Sequence, residues 1–281
     1  MLTSGISFVN FNKKNKSLKL RRNLQSIIND KNEILNSLSN NYRDSYKKNF
    51  VNKYKVFSNY RVIGMGGSIL GTRTIYEFLK HKIKKNFLFL DNLQNTLSQS
   101  KKKTVNIIVS KSGNTIETIA NSNIIIKKNN KNIFVTENKK NYLYRLAENL
   151  KGEIVHHNNY IGGRYSVLSE VGMLPAELMG LKSKNFRQFN SLIKNRRFLN
   201  SLINNVSSIL YYIKKRKFNS IIINYDEKSE SLFKWYQQLV AESLGKKKKG
   251  LLPIVSNMPK DNHSLMQLYL DGFQNNFYTF F

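Results

Sequence analysis

The spacing of apolar residues changes along the chain and predicts an alternation of helices and strands. Between Leu18 and Leu38, apolar residues recur at mostly helical intervals, so we expect a leading helix there. From Arg61 onward, short apolar runs are followed by glycine or hydroxyl residues and then by stretches of helical spacing. Short buried strands that alternate with helices are typical of parallel pairing. The sequence therefore predicts an α/β protein with doubly wound parallel sheets.

The predicted elements fall into two groups. The first comprises strands at 61–63, 87–90, 105–110 and 133–136, with helices at 69–79 and 115–127. The second comprises a helix at 186–214, a strand at 218–225 and a helix at 229–244. Because the strand and helix pattern begins again in the second group, we predict two domains of the same type. The predicted organisation is an N-terminal helical segment over 1–50, a first domain over 51–185 and a second domain over 186–281.

Composition excludes several classes of protein. Hydrophobic residues form 40% and charged residues 23% of the chain, as in ordinary globular domains. The absence of cysteine excludes disulfides, thiolate nucleophiles and Cys-ligated zinc, and it suits a reducing cytoplasm. The first 30 residues lack the apolar core of a signal peptide, and no apolar run approaches the roughly 18 residues of a membrane helix. We therefore expect a soluble, cytoplasmic protein with no membrane partner.

The net charge raises the question of a polyanionic partner. The chain has 47 Lys and Arg against 17 Asp and Glu, a formal net charge of +30. A charge of this size favours anionic partners such as nucleic acids. However, the lysines are spread from Lys13 to Lys260 among Asn and Ile, which is typical of a compositional bias on a solvated surface. The arginine and aromatic stacking platforms of nucleic-acid sites are not evident, so we expect no specific nucleic-acid partner.

A glycine-rich loop, Gly64-Met65-Gly66-Gly67-Ser68, lies between a predicted strand and a predicted helix. Backbone N–H groups in such a loop can approach an anion, and the helix N-terminus adds partial positive charge. A dinucleotide site is the obvious alternative, since Asp91 ends the next strand where a ribose-binding acid would stand. The G-x-G-x-x-G fingerprint nevertheless fails, because Ile69 occupies its last glycine position. Taken alone, the loop fits a ligand cradle and a plain tight turn equally well.

A second loop places three hydroxyls at the start of a predicted helix. Ser110, Ser112 and Thr115 surround Lys111 and Gly113 within six residues. Several neutral donors beside a helix start suit a small dianion such as a phosphate monoester. The alternative is an ordinary helix cap, with Ser112 or Asn114 as the N-cap residue. Three hydroxyls and the glycine loop upstream favour phosphate.

Candidate catalytic groups occur in two further segments. Arg164 follows Gly162 and Gly163 in a stretch with few other charges, which favours a guanidinium near the interior, unless it pairs with a structural carboxylate. Gln238 and Glu242 lie four residues apart and share one face of a predicted helix. A carboxylate near the helix end opposes the helix dipole, which can raise its proton affinity as a general base requires. An exposed surface Glu is the alternative.

One histidine is a further candidate. His263 lies in the run Asp261-Asn262-His263-Ser264, just before an apolar helical stretch at 265–270. By itself, a histidine at a helix start is more often structural than catalytic.

In this order, the five segments resemble the glucose-6-phosphate isomerase family, which consists of two sugar-isomerase domains of the doubly wound type. The resemblance covers 60–281. Its matching runs are Gly64–Ser68, Ser110–Thr118, Gly162–Ser169, Gln238–Lys246 and His263–Leu268. The Gly-Gly-Arg-Tyr-Ser run is highly specific, whereas the serine-rich run is shared more widely among sugar-phosphate binders.

The resemblance implies an aldose–ketose isomerase of glycolysis and gluconeogenesis that interconverts glucose 6-phosphate and fructose 6-phosphate, with no metal or organic cofactor. In it, Glu242 moves a proton between C2 and C1, and Arg164 stabilises the cis-enediolate. His263 helps to open the sugar ring from the other subunit of a homodimer. The residues implied in binding the substrate and its phosphate are Gly67, Ser68, Ser110, Lys111, Ser112, Thr115 and Gln238.

The C-terminal end of the sequence departs from the family pattern. The resemblance implies a further C-terminal segment, with a glycine-rich signature and a lysine that works with the histidine in ring opening, whereas the sequence ends at Phe281. We therefore expect an incomplete second domain. The alternative function is a sugar-phosphate-binding module that no longer catalyses turnover.

Overall fold

The computed structural model describes residues 18–93, 103–127 and 129–281. These residues form two compact units, each discontinuous along the chain. One unit consists of 42–186 and 231–239. The other consists of 187–230, 240–281 and the described part of Met1–Asn41.

Two short helices begin the described chain where a single helix was expected. Helix α1 spans Leu18–Ile28 and α2 spans Glu33–Ser37. The prediction of one helix up to Leu38 was wrong, because Asn32 starts a new helix with its own cap. The Asn32 side chain accepts a hydrogen bond from the Leu35 N–H at 2.9 Å.

The 42–186 unit contains a five-stranded sheet in the order β2-β1-β3-β4-β5, with every pair parallel. Its strands are β1 (Asn59–Ile63), β2 (Asn86–Leu90), β3 (Thr104–Val109), β4 (Lys131–Glu137) and β5 (Glu153–His157). Its helices are α3 (Lys48–Lys55), α4 (Leu70–Leu79), α5 (Ile116–Ile125), α6 (Tyr142–Asn149) and α7 (Glu170–Leu178). The chain turns from β1 to β2 on one side and to β3 on the other, so the topological switch point lies between β1 and β3.

Strand β3 shows why this sheet forms. Its residues from Val105 to Val109 are all buried, because apolar side chains pack on both faces of the sheet. Ile107 belongs to the core cluster on one face, together with Val62 of β1. Ile108, the next residue, belongs to the cluster on the opposite face with Phe134. A nearly continuous apolar run is therefore the expected signature of a central parallel strand.

The other unit contains a three-stranded parallel sheet in the order β7-β6-β8. Its strands are β6 (Asn219–Asn224), β7 (Leu252–Asn257) and β8 (Asn276–Phe280). The remaining helices are α8 (Phe189–Leu192), α9 (Arg196–Lys214), α10 (Glu230–Leu244) and α11 (Met266–Asp271). Together, the two sheets confirm the predicted α/β class with parallel strands.

The helix predicted over 186–214 is divided into α8 and α9. Asn195 separates them, and its side-chain oxygen accepts hydrogen bonds from the N–H groups of Arg197 and Phe198 at 2.9 and 3.2 Å. Strands β5, β7 and β8 were not identified from the sequence. In the described ranges, no helix is both long and apolar enough to cross a membrane.

Truncating a central strand should destabilise the 42–186 unit. We expect Ile107→Ala to lower the free energy of unfolding by about 2–5 kcal/mol, because the side chain is fully buried in the core cluster. Urea unfolding followed by the fluorescence of Trp235, the single tryptophan, which packs against the same cluster, would measure it.

The matched control is Leu88→Ala on edge strand β2, where half of the side chain is exposed. Its expected loss is below about 1 kcal/mol. Equal losses for the two variants would contradict the assignment of β3 as the core strand.

Candidate active site

Two loops begin side by side at the carboxyl edge of the five-stranded sheet. Ile63 of β1 pairs with Ile108 of β3, so the glycine loop after β1 and the hydroxyl loop after β3 start from neighbouring strands. This edge carries the switch point, where α/β sheets form their ligand crevices. The parallel register therefore places together two loops that lie more than 40 residues apart in the sequence.

The glycine loop lies against the turn that carries Arg164. A Cβ atom added to Gly67 would stand 2.3 Å from the Gly163 carbonyl oxygen and 2.6 Å from the Arg164 nitrogen. Both are backbone atoms, which cannot swing aside, so only glycine allows this approach. The Ser166 hydroxyl donates to the Gly163 carbonyl oxygen at 2.6 Å and lies 3.5 Å from that of Gly67. The plain tight-turn alternative therefore does not account for Gly67, whose requirement is a long-range backbone contact.

Asp91, on which the dinucleotide alternative depended, has a partner within the protein. Asp91, the candidate ribose-binding acid, forms an ion pair with Arg73 of α4 at 2.9 Å. Its carboxylate thus links the end of β2 to the helix that follows the glycine loop.

The hydroxyl loop leaves the start of α5 without a side-chain cap. The N-cap residue is Thr115, and no side-chain hydrogen bond caps the described helix. The Thr115 Oγ1 atom lies 2.8 Å from Ser110 Oγ. The Ser112 hydroxyl accepts a hydrogen bond from the Asn114 N–H at 3.2 Å. The helix-cap alternative with Ser112 or Asn114 at the N-cap is therefore wrong. The first N–H groups of α5 lie next to two paired hydroxyls, an arrangement suited to a small anion.

Gly113 and Lys111 fix this loop to its neighbours. Gly113 has a φ of +66°, and a Cβ there would stand 2.0 Å from the Asn141 side chain, so the loop passes tightly over the start of α6. The Lys111 ammonium donates to the Asn159 carbonyl oxygen at 2.7 Å and lies 3.6 Å from Glu137 Oε1. Lys111 thus bridges the hydroxyl loop to the segment after β5, while its predicted phosphate contact stays a prediction.

Arg164 lies in a 3₁₀ turn, Gly163–Leu168, which leads into α7. Its guanidinium carbon lies 4.6 Å from the centre of the Tyr165 ring, a cation–π contact. The Trp235 indole N–H donates to the Arg164 carbonyl oxygen at 3.0 Å. Sequence reasoning assigned no role to Trp235, although a half-buried indole N–H needs an acceptor.

Gln238 lies one turn of α10 beyond Trp235, on the part of the helix that belongs to the same unit as the two loops. A Cβ added to Gly66 would stand 2.8 Å from the Gln238 side-chain nitrogen. The structure therefore brings Gln238 to the glycine loop. Within this unit, the predicted residues Gly67 and Gln238 and the Arg164 turn meet at the same loop.

Glu242 and His263 belong to the other unit. Glu242 occupies the last turn of α10, one turn beyond Gln238, and its side chain is exposed. The helical placement confirms that Gln238 and Glu242 share a helix face. His263, also exposed, ends a 3₁₀ turn, Lys260–His263, which follows β7.

Asp261 holds the turn that carries His263. Its Oδ2 accepts from the Ser256 hydroxyl at 2.7 Å and from the Asn257 N–H at 2.8 Å, and its Oδ1 accepts from the Ser264 hydroxyl at 3.1 Å. Burial opposes ionisation, but these hydrogen bonds outweigh it and hold the pKa of Asp261 below its ordinary value. Sequence analysis missed this anchoring role, which the Asp-x-His-Ser spacing alone does not reveal.

Comparison with known proteins identifies the relatives of this arrangement. The family model described as phosphoglucose isomerase matches residues 13–251. A glucose-6-phosphate isomerase of Methanocaldococcus jannaschii is 36% identical over 259 residues, which cover 85% of this chain and 64% of that protein. One of Campylobacter jejuni is 29% identical, with coverages of 82% and 62%. The chain thus spans about three fifths of the length of these curated relatives.

A solved structure shows the same fold. The glucose-6-phosphate isomerase of Chlamydia trachomatis matches with a TM-score of 0.66 at 19% identity, covering 88% of this chain and 57% of that one. At this identity, the structural match shows the fold alone.

The contact at Gly67 generates a stability prediction. We expect Gly67→Ala to lower the free energy of unfolding by about 1–3 kcal/mol, because the new methyl group meets rigid backbone at Gly163 and Arg164. Urea unfolding monitored by Trp235 fluorescence, close to the altered contact, would measure the change.

Gly163→Ala is the matched control, since a Cβ there meets nothing within 4 Å. We expect a change within about 0.5 kcal/mol for this variant. If the two variants were equally stable, the close backbone approach would be refuted.

Proposed function

Because this chain belongs to the phosphoglucose isomerase family, we propose that it interconverts glucose 6-phosphate and fructose 6-phosphate in glycolysis and gluconeogenesis. The observation that carries the proposal is the junction of the glycine loop, the hydroxyl loop and the Arg164 turn at the switch point of one sheet. That junction offers hydroxyl and N–H donors for a phosphate and a guanidinium for charge on the sugar.

The phosphate of the substrate binds first in this proposal. Ser110 and Thr115, whose hydroxyls already face each other at 2.8 Å, donate to it together with the uncapped start of α5. Ser68 at the end of the glycine loop and Ser112 complete the donor set, and Lys111 adds positive charge. Binding this remote dianion fixes the orientation of the carbon chain and converts binding free energy into alignment at the reacting carbons.

Proton transfer follows at C1 and C2. A single carboxylate, that of Glu242, removes the proton from C2 and returns it to C1 through a cis-enediolate, while the hydroxyl proton moves from O2 to O1, so that the carbonyl shifts from C1 to C2. Negative charge develops on the sugar oxygens as the proton leaves, so the Arg164 guanidinium stabilises the transition state more than the ground state. Gln238 and the backbone of Gly67 complete the proposed substrate contacts.

When the substrate is a cyclic sugar, ring opening follows phosphate binding and precedes the proton transfer. We assign it to His263, supplied by the other subunit of a homodimer, on a turn that Asp261 makes rigid. The proposal places the enzyme in the cytoplasm, where charged sugar phosphates are retained by the membrane.

The proposed base can be tested by removing its charge. We expect Glu242→Gln to lower kcat by about 10²- to 10⁴-fold, because the amide cannot accept the proton. A coupled assay of fructose 6-phosphate conversion through glucose-6-phosphate dehydrogenase measures turnover. Loss of the C2 proton of glucose 6-phosphate to D₂O, followed by NMR, reports the enediolate step separately.

Glu230→Gln, at the opposite end of α10, is the matched control and should behave as the wild type. A wild type inactive in both assays, or an active Glu242→Gln, would refute the proposal. Thermal stabilisation by the sugar phosphate without either reaction would support the binding-module alternative.

The phosphate site has its own test. Thr115→Val keeps the side-chain shape and removes one hydroxyl, and we expect it to raise the Kd of glucitol 6-phosphate about tenfold, the equivalent of one lost hydrogen bond of about 1.4 kcal/mol. Isothermal titration calorimetry measures the Kd directly. The control is Ser122→Ala, whose hydroxyl bonds only to the Thr118 carbonyl oxygen within α5 in the described contacts. Equal affinities for both variants and the wild type would exclude Thr115 from the site.

A further inference from the structure

A buried group of ionisable side chains lies directly behind the Arg164 turn and has no part in the proposed chemistry. His157 ends β5 and Glu170 begins α7, and each residue is only 2% exposed. His157 Nδ1 lies 3.7 Å from Glu170 Oε2. We call these two residues the His157–Glu170 pair.

The other carboxylate oxygen of Glu170, Oε1, accepts two hydrogen bonds. Oε1 accepts from the Tyr42 hydroxyl at 3.0 Å and from the Ser45 N–H at 3.2 Å. Burial opposes ionisation, but the nearby His157 and the hydrogen bonds from the backbone and Tyr42 outweigh it, and the pKa of Glu170 lies below its ordinary value. For Tyr42, burial and the charge of Glu170 raise the pKa, so the phenol donates in its neutral form. Glu170 is therefore a carboxylate held by donors from the N-terminal side of the unit.

His157 connects this carboxylate to the backbone ahead of Arg164. Its Nε2 lies 3.0 Å from the Ile161 carbonyl oxygen, which can only accept, so Nε2 carries the hydrogen. Within the described residues, Nδ1 and Glu170 Oε2 make no hydrogen bond, and their separation of 3.7 Å is that of an ion pair. In its charged form the imidazole also carries a hydrogen on Nδ1, so the imidazolium and the Glu170 carboxylate face each other with opposite charges.

The His157–Glu170 pair lies at both ends of the segment 162–169, which contains the Arg164 turn. Ile161, held by His157, immediately precedes Gly162, where the chain enters the Arg164 turn. Glu170 immediately follows Ser169, where the chain leaves that turn. One buried contact therefore spans the segment 162–169 from entry to exit.

The surrounding contacts extend the same support. The Ser45 hydroxyl donates to the His156 carbonyl oxygen at 2.6 Å, and the Lys111 ammonium donates to that of Asn159. The chain from the end of β5 to Gly162 is thus held at His156, Asn159 and Ile161, by donors from three different parts of the unit.

From this geometry we propose that His157 and Glu170 are positioning residues that fix the Arg164 turn, and through it the guanidinium, for the isomerisation. The inference rests on the proposed function only for its catalytic readout, since the restraint on the turn exists with or without turnover. Misplacement of a catalytic group by about 1 Å costs up to about 10²-fold in rate, so a loosened turn should act mainly on kcat.

The catalytic test compares Glu170→Gln, His157→Phe and His157→Gln. Glu170→Gln removes the carboxylate charge, and His157→Phe removes the donor to Ile161. We expect both to lower kcat about ten- to a hundredfold, with the KM for fructose 6-phosphate within about threefold of the wild type, because the phosphate loops are untouched. His157→Gln retains an N–H donor and should recover part of the lost kcat. A rise in KM without a loss in kcat would overturn the proposal.

Hydrogen exchange gives a readout independent of activity. Measured by mass spectrometry, the amides of 162–169 should exchange about tenfold faster in Glu170→Gln and His157→Phe than in the wild type. Glu153→Gln is the control, since this acid at the start of β5 pairs with Lys53 at the surface and should change neither readout. If the two variants fail to fold, Tyr42→Phe removes one hydrogen bond to Glu170 and should increase the exchange to a smaller extent.

The outcomes separate the two proposals. An inactive wild type whose variants show faster exchange of 162–169 refutes the proposed function and leaves the restraint established. An active wild type whose variants keep normal exchange and normal kcat, with only a lower thermal midpoint, overturns the positioning role.

Discussion

The contact between two backbone segments at Gly67 is the constraint on which the candidate site depends. A peptide group from the Arg164 turn occupies the space where any other residue would carry its Cβ atom. This approach brings the turn against the glycine loop, and the Trp235 indole N–H, from the part of α10 in the same unit, donates to the Arg164 carbonyl oxygen. Because backbone meets backbone, the distance is set by van der Waals contact between rigid peptide groups and does not depend on the rotamers of side chains.

The polar groups near the Arg164 turn differ in exposure. Glu170 and His157, which lie behind the turn, are buried next to each other, whereas Ser112 of the hydroxyl loop is exposed and Ser110 of the same loop is buried. Buried charge is costly unless it is compensated, so such groups occur where they restrain a particular backbone conformation. In this protein, they lie behind the turn that places Arg164.

The resemblance to a family and the local motifs could be recognised in the sequence. The limits of several helices and strands could not be predicted from it. Strand β3 was predicted well, because a central parallel strand is apolar along its whole length. The long helices predicted over 18–38 and 186–214 were each divided, since Asn32 and Asn195 start new helices by capping. Strand β7 escaped notice because it contains Pro253, and β5 because only two of its five residues are aliphatic. The predicted domain limits at 50 and 185 stay predictions, and the compact units in the structure are discontinuous along the chain.

The sequence by itself determined the class of fold, the two loops and the candidate residues within them, because glycines, hydroxyls and apolar runs act through local conformation and solvation. Only the tertiary structure decided that Gly67 touches the Arg164 turn, that Trp235 holds its carbonyl, and that His157 and Glu170 meet behind it. The first two contacts join residues about 70 to 100 positions apart. All three arise from the register of parallel strands and the packing of helices upon them. No local pattern encodes which distant partners that packing brings within hydrogen-bond distance.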